Sequence, residues 1–279
     1  AMVVMRDAAI RAFKPEPFYS AELKFRDFQA GGERMKEKAE AEKLVAECCQ
    51  AGSAIITKVE QKEKSEKPPA LFDLTSLQRE ANRQLGFTAQ QTLDYTQALY
   101  EKKLVTYPRT DSRYLTDDMA PLVPELVSVI QQSFQIQADV PAPVNAAQVI
   151  NSKKVTDHHA IIPTGVYAQN LTDMERRVYD LIARRFIAVF YPDCKISTTT
   201  VMGEVDKIEF KVTGKQILEP GWRVVFAKDV KDTSEEKEEE DENVLPAFVK
   251  GESGPHVPDL NEKWTQPPRP YTEATLLRA

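Results

Sequence analysis

The sequence predicts an α+β fold: a β-rich part split in sequence, with a mainly α-helical part inserted between its halves. Three observations carry this. Over 18–25 aromatic and aliphatic residues recur at nearly every second position, as in a half-buried strand, and β-branched strand patterns with glycine turns return only after Pro192. Between them stand helix signals, with capping-box spacings at Thr75/Gln78 and Thr88/Gln91 and a long amphipathic pattern from Leu171. A chain of 279 residues with 42% apolar content is long enough for two cores. The expected division is 1–66 with 192–265 for the split β-rich domain, 67–191 for the helical insert, and 266–279 for the start of a further domain.

Residues 2–13 read as a helix that the prolines at 15 and 17 stop. Helical sequence is already under way at the first residue, so the chain is expected to be a fragment of a longer protein. After the strand at 18–25, Gly31-Gly32 breaks the pattern and a charged helix follows over about 33–49. A second strand is expected at 53–59, ending in a charged loop at 61–69 that marks the first boundary. Two helices follow, separated by Gly86, and the second presents Leu93, Thr96, Leu99 and Tyr100 on one packing face. A helix over about 117–132 tolerates Pro121 in its first turn, and a proline-interrupted loop follows at 141–143. The helix from Leu171 runs to about Phe190 with Met174, Val178, Leu181 and Ile182 as its apolar stripe. Strands are expected at 196–202, 208–212, 222–226 and 245–250, and a last helix at 271–279.

No run approaches membrane-spanning length, and the start lacks a signal-peptide pattern. Three cysteines, two of them adjacent (Cys48, Cys49), form neither a disulfide framework nor a zinc pattern, so the chain reads as cytoplasmic and reduced. The net charge of −6 is concentrated at 235–242, where seven acids accompany one lysine. Such a run is a solvated loop, and the rest of the chain, neutral overall, can still carry local basic grooves.

The chemistry concentrates at 104–112, Leu-Val-Thr-Tyr-Pro-Arg-Thr-Asp-Ser, directly after the second helix of the insert. A phenol with a pKa of about 10 attacks poorly at neutral pH unless its surroundings favour the phenolate. Arg109, two residues from Tyr107, supplies positive charge and a planar fork that matches phosphate. Pro108 stiffens the turn and biases Tyr107 towards extended backbone. On chemistry alone, a buried tyrosine at a helix exit with Arg109 paired to Asp111 is the more ordinary reading.

The words decide otherwise. Thr106-Tyr107-Pro108-Arg109-Thr110-Asp111-Ser112 closely resembles the active-site tyrosine motif of type IA DNA topoisomerases. Asp157-His158-His159-Ala160-Ile161-Ile162-Pro163-Thr164 resembles a second motif of that family, in the form typical of the bacterial topoisomerase III-like branch. Residues 72–78, 266–276 and 2–17 are similar to the family as well, so the resemblance spans almost the whole chain.

The resemblance implies that the split β-rich domain forms an arch and that the insert carries the nucleophile. It implies an ATP-independent isomerase that cuts one DNA strand, passes another and reseals the break. Tyr107 would become linked to a 5′ phosphate, Arg109 would hold the scissile phosphate, and His158 would contact DNA near the reacting centre. For His158 the alternative is a core histidine held by Asp157. Lys103, Asp111, Arg113 and His159 complete the expected DNA-facing set; solvated surface is an equal reading for Lys103, Arg113 and His159, and Asp111 is expected to orient Arg109 or the turn. Arg176, Arg177, Arg184 and Arg185 are divided between salt bridges on a solvated face and contact with the DNA backbone.

Magnesium is expected in a Toprim domain of the longer protein, which would also supply a catalytic lysine. No Asp-x-Asp-x-Asp pattern occurs here, and no metal ligands are expected in this fragment. The expected partners are single-stranded DNA and the Toprim and linking domains of the same chain, without membrane or ATP, in the bacterial cytoplasm at the nucleoid. Two other classes compete: a non-catalytic single-strand-binding module, for which Tyr95, Tyr100, Tyr107 and Tyr114 would be the aromatic row, and a helical scaffold with no nucleic-acid role.

Overall fold

The computed structural model describes residues 1–25, 27–133, 144–226 and 243–279. The expected acidic run at 235–242 and the proline loop at 141–143 lie outside them. The fold is α+β, as expected, and the chain divides into two compact units.

The first unit takes in Ala1–Ser65, Lys195–Leu218 and the described part of Glu238–Pro270. Its sheet has seven strands: β1 (Pro17–Lys24), β2 (Gln29–Gly31), β3 (Ala54–Glu66), β4 (Cys194–Val205), β5 (Ile208–Glu219), β6 (Ser253–Gly254) and β7 (Val257–Trp264). Their order is β6-β3-β4-β5-β2-β1-β7. The antiparallel pair of β1 and β7 runs from Pro17 opposite Trp264 to Lys24 opposite Val257. Asp206 and Lys207, both at positive φ (48° and 68°), join β4 to β5 in a two-residue turn. Positive φ at both positions matches the right-handed twist of the flanking strands. Ala21, Leu23, Cys48, Val205 and Phe210 form the core of this unit, and α2 (Lys38–Gln50) packs on β1 and β7. The opening helix α1 (Met2–Ala12) buries none of its residues.

β3 corrects one expectation. The residues at 61–66, read as a charged loop, continue the strand. Their side chains are mostly exposed, and Glu60 lies between Lys58 and Lys62, so the ladder is built while the charges stay solvated.

The second unit takes in Glu66–Cys194, the described part of Glu219–Lys237, and Tyr271–Ala279. α3 (Leu74–Leu85), α4 (Ala89–Glu101), α5 (Val123–Ser133) and α6 (Asp173–Ala188) surround Leu71, Phe72, Leu77, Leu99, Ile161, Ile162, Ile182 and Phe186. Asp73 and Ser76 cap α3 in place of the expected Thr75/Gln78, while Thr88 with Gln91 caps α4 as expected. Gly86 ends α3 at φ 69°. The helix expected over 117–132 starts as a 3-10 turn at Asp117–Met119, and α5 begins only at Val123, with Pro124 in its first turn. Met174, expected in the stripe of α6, is 40% exposed, while Val178, Leu181 and Ile182 are buried.

Two expected strands are absent. Gly221–Phe226 is a 3-10 turn whose Val225 joins the helical core and whose Trp222 Nε1–H donates to the Glu66 carbonyl. The segment 245–250 forms no strand, and the long strand comes later, as β7. A short closing helix, α7 (Glu273–Leu276), packs on α3.

Candidate active site

The site begins with how α4 ends. Lys102 closes the helix, and Lys103 follows at φ 60°, in the left-handed region. The Lys102 ammonium reaches both oxygens of Glu175 at 2.8 Å, which ties the end of α4 to the first turn of α6. The hydrogen bond from Lys102 holds the Glu175 carboxyl below the usual glutamate range, against the upward push of burial. Leu104 and Val105 are then buried, and the chain runs extended into Tyr107.

Three hydroxyls of the motif lace this segment to the second one. Thr106 Oγ1 donates to the Ala160 carbonyl and accepts the Ile162 N–H, both at 3.0 Å. Thr110 Oγ1 donates to the His158 carbonyl at 2.7 Å and accepts the Ser112 N–H at 3.1 Å. Ser112 Oγ donates to the Lys154 carbonyl at 2.8 Å. Backbone bonds from Thr106 to Ile162 and from Thr164 to Leu104 complete the zipper, and Ile161 bonds back to Phe72. The motif's Thr and Ser residues thus satisfy buried backbone groups and fix the register of the two segments.

The result brings Tyr107 and His158 together. Their ring centroids are 4.3 Å apart with planes tilted by 40°. Tyr100, at the end of α4, meets Tyr107 edge-on at 5.4 Å. Tyr107 is half-buried, and His158 and Arg109 are exposed, so all three are open to a ligand. His158 is therefore not the core histidine that was the alternative. Arg109 Nη1 donates to Gln97 Oε1 at 3.1 Å, one helical turn before Tyr100.

The other expected residues are placed differently. Asp111 accepts from Thr156 Oγ1 at 3.3 Å and orients the turn rather than Arg109. Arg113 Nε donates to Asp73 at 2.6 Å, within the cap of α3. His159 is half-buried, with Nδ1 2.8 Å from the Ala160 carbonyl. The exposed Lys103 contributes its backbone carbonyl to Thr164 Oγ1 at 2.6 Å. Of the paired arginines, Arg184 donates to the Val225 carbonyl and Arg185 lies over the Phe72 ring at 4.2 Å. Arg176 and Arg177 stay exposed.

Sequence reasoning missed Gln97 and misplaced Tyr100, which is 40% exposed instead of packed inward. Their spacing of three on one helix, directly before the motif, is the signal that could have found them. Among the described residues no group of three or more His, Cys, Asp or Glu side chains is placed to hold a metal ion. The magnesium implied by the resemblance thus finds no donor set among these residues.

A motif of this kind, a phenol between an imidazole and a second ring with a guanidinium anchored beside it, now has known proteins to stand against. The family model described as DNA topoisomerase matches residues 1–279, and the chain belongs to that family. Its relatives include DNA topoisomerase 3 of Bacillus subtilis (strain 168), 35% identical over 295 residues that cover all of this chain and 40% of the relative. DNA topoisomerase 3 of Shouchella clausii (strain KSM-K16) is 36% identical over 298 residues, with the same coverage. Among solved structures, full-length topoisomerase I from Thermotoga maritima superposes with a TM-score of 0.74 at 25% identity, covering 99% of this chain and 45% of that one. These findings bear out the type IA, topoisomerase III-like resemblance. The chain spans 40% of the length of these curated relatives.

Proposed function

We propose that these residues supply the nucleophile of a type IA topoisomerase that cleaves and rejoins single-stranded DNA without ATP. The observation that carries the reading is Tyr107, half-buried between His158 and Tyr100, with Arg109 exposed two residues on. Tyr107 Oη attacks a backbone phosphorus, the P–O3′ bond breaks, and a 5′-phosphotyrosine and a free 3′-hydroxyl result. The phenol proton leaves and the 3′ oxygen gains one, so the exchange is balanced and reversible without an external energy source. Arg109 holds the scissile phosphate and offsets its growing charge, and Gln97 fixes the direction of the guanidinium. His158 touches the DNA beside the reacting phosphate, with Lys103, Asp111, Arg113 and His159 around it.

In this reading the first unit is the arch, and the magnesium site and catalytic lysine lie outside the described residues, in a Toprim domain of a longer cytoplasmic, nucleoid-associated protein. Residues 1–279 alone, mixed with supercoiled DNA and magnesium, are then expected not to relax it. The same row of Tyr100, Tyr107 and His158 suits base stacking, which is what a non-catalytic single-strand-binding module would use.

One experiment separates the two. A full-length protein containing these residues is incubated with 5′- and 3′-labelled single strands and magnesium, then stopped with detergent. A covalent adduct carrying the label downstream of the cut, lost in Tyr107→Phe, is the expected result. Strand binding without any adduct overturns the catalytic reading and leaves the binding module.

A further inference from the structure

The second unit carries a strongly basic cleft that shares only Arg113 with the proposed tyrosine site. One face of α3 supplies Ser76, Arg79, Glu80 and Arg83, at the i, i+3, i+4 and i+7 spacing that puts side chains on one side of a helix. Arg113, Arg185 and Arg278 line the same cavity of about 520 Å³, with the uncharged residues Asn82, Thr272, Ala274 and Thr275. Five guanidiniums thus face one carboxylate in the cleft, Glu80, with Asp73 beside it on Arg113. Glu80 is itself divided between Arg83 at 2.8 Å and Arg185 at 3.8 Å.

Positive charge in this excess is unusual in a body that is neutral overall outside its acidic run. Two of the arginines also have unmet demand. Arg79 Nε and Arg185 Nε are buried and have no hydrogen-bond acceptor. A buried guanidinium N–H without an acceptor costs free energy, and a bound water or ion is the ordinary remedy. Burial pushes the Arg185 pKa down, against the pull of the Glu80 carboxylate and with the repulsion of Arg83 and Arg113 added to it. Arg278 is exposed at the mouth.

We propose that this cleft is a second contact for the phosphate backbone of single-stranded DNA, with Arg79 and Arg278 as its principal ligands. The inference rests on the reading of the protein as acting on DNA single strands. Arg113 is the link between the two places: it lies six residues beyond Tyr107 on the laced segment and forms one wall of the cleft. A planar fork donates to two phosphate oxygens at once, and five such forks with little competing acid suit a polyanion better than a single small ion.

Binding of a fluorescent oligothymidylate to residues 1–279, followed by anisotropy between about 50 and 200 mM salt, tests this. Arg79→Gln with Arg278→Gln should weaken binding about tenfold at the low-salt end and make the log–log salt slope shallower by about 1.4, the value for two lost contacts on a single strand. Arg79→Lys with Arg278→Lys keeps both charges and should restore the slope. Wild-type affinity and slope in the glutamine variant would overturn the proposal, as would no measurable binding by the unaltered chain at low salt. A slope loss shared by the lysine variant would overturn it too, because charge would not then be the cause. No chemistry enters this assay, so it stands apart from the adduct experiment: if Arg109→Gln weakens binding while the cleft variant does not, the cleft falls and the Tyr107 site remains.

Discussion

Thr110 shows how closely the site depends on side chains that take no part in the proposed chemistry. Its hydroxyl spans from the His158 carbonyl to the Ser112 N–H, so it holds His158 at the depth where the imidazole meets Tyr107. Thr110→Val keeps the shape and removes both bonds, leaving two backbone groups without their partner. A net loss of about 1–3 kcal/mol in urea-monitored stability is expected, from the desolvation of groups left unpaired. Stability equal to the wild type would mean that the lacing is incidental and that something else sets the position of His158. The same residue explains part of what the sequence revealed. Tyr107, Arg109 and His158 stand out because their chemistry is unusual in a short window, whereas Thr110 reads as one more turn hydroxyl. Gln97 carries no signal of its own: it matters only because the left-handed turn at Lys103 folds the chain back beside it.

At the level of elements, what could be read was what is local. The Thr88/Gln91 cap, the Gly86 stop and, apart from Met174, the amphipathic pattern of α6 are set within a few residues, and each stands where it was expected. β3 and the Gly221–Phe226 turn were misread because non-local partners decide them. The strand continues through charged residues because β4 lies along it, and Trp222 turns because Glu66 receives its indole N–H. The joint between α4 and α6 gives a pH test of one such non-local contact. Native Glu175 is held below its ordinary range, so the Lys102 pair adds stability above the pKa of an unfolded glutamate. That contribution fades as pH falls through the lower native value. Glu175→Gln should therefore reduce stability at neutral pH and flatten the acid limb of the stability profile, measured by denaturant midpoints at successive pH values. An acid limb as steep as the wild type's would show that other carboxylates govern it.

For the molecule as a whole, the decisive feature is that two sets of buried side chains exist, one in each compact unit. Phe186 is fully buried among α3 to α6, and Phe210 is buried with Leu23 and Val205 in the sheet unit. Each unit draws its core from stretches far apart in sequence, which is why composition could suggest two cores but not which residues enter each. The helical unit even takes in Val225 and Trp222, beyond the first return of the strands. Truncating a buried phenylalanine typically costs about 3–5 kcal/mol, and the loss falls on the unit whose core contains it. Phe186→Ala should accordingly raise amide exchange across α3, α4 and α6 first, including Leu104 and Ile162 beside Tyr107, while Phe210→Ala should do so across β1, β4 and β5. Mass-resolved hydrogen exchange on both variants reads this directly. Equal loss of protection in both units from either change would mean that they unfold as one, and that the support of the tyrosine site extends to the sheet.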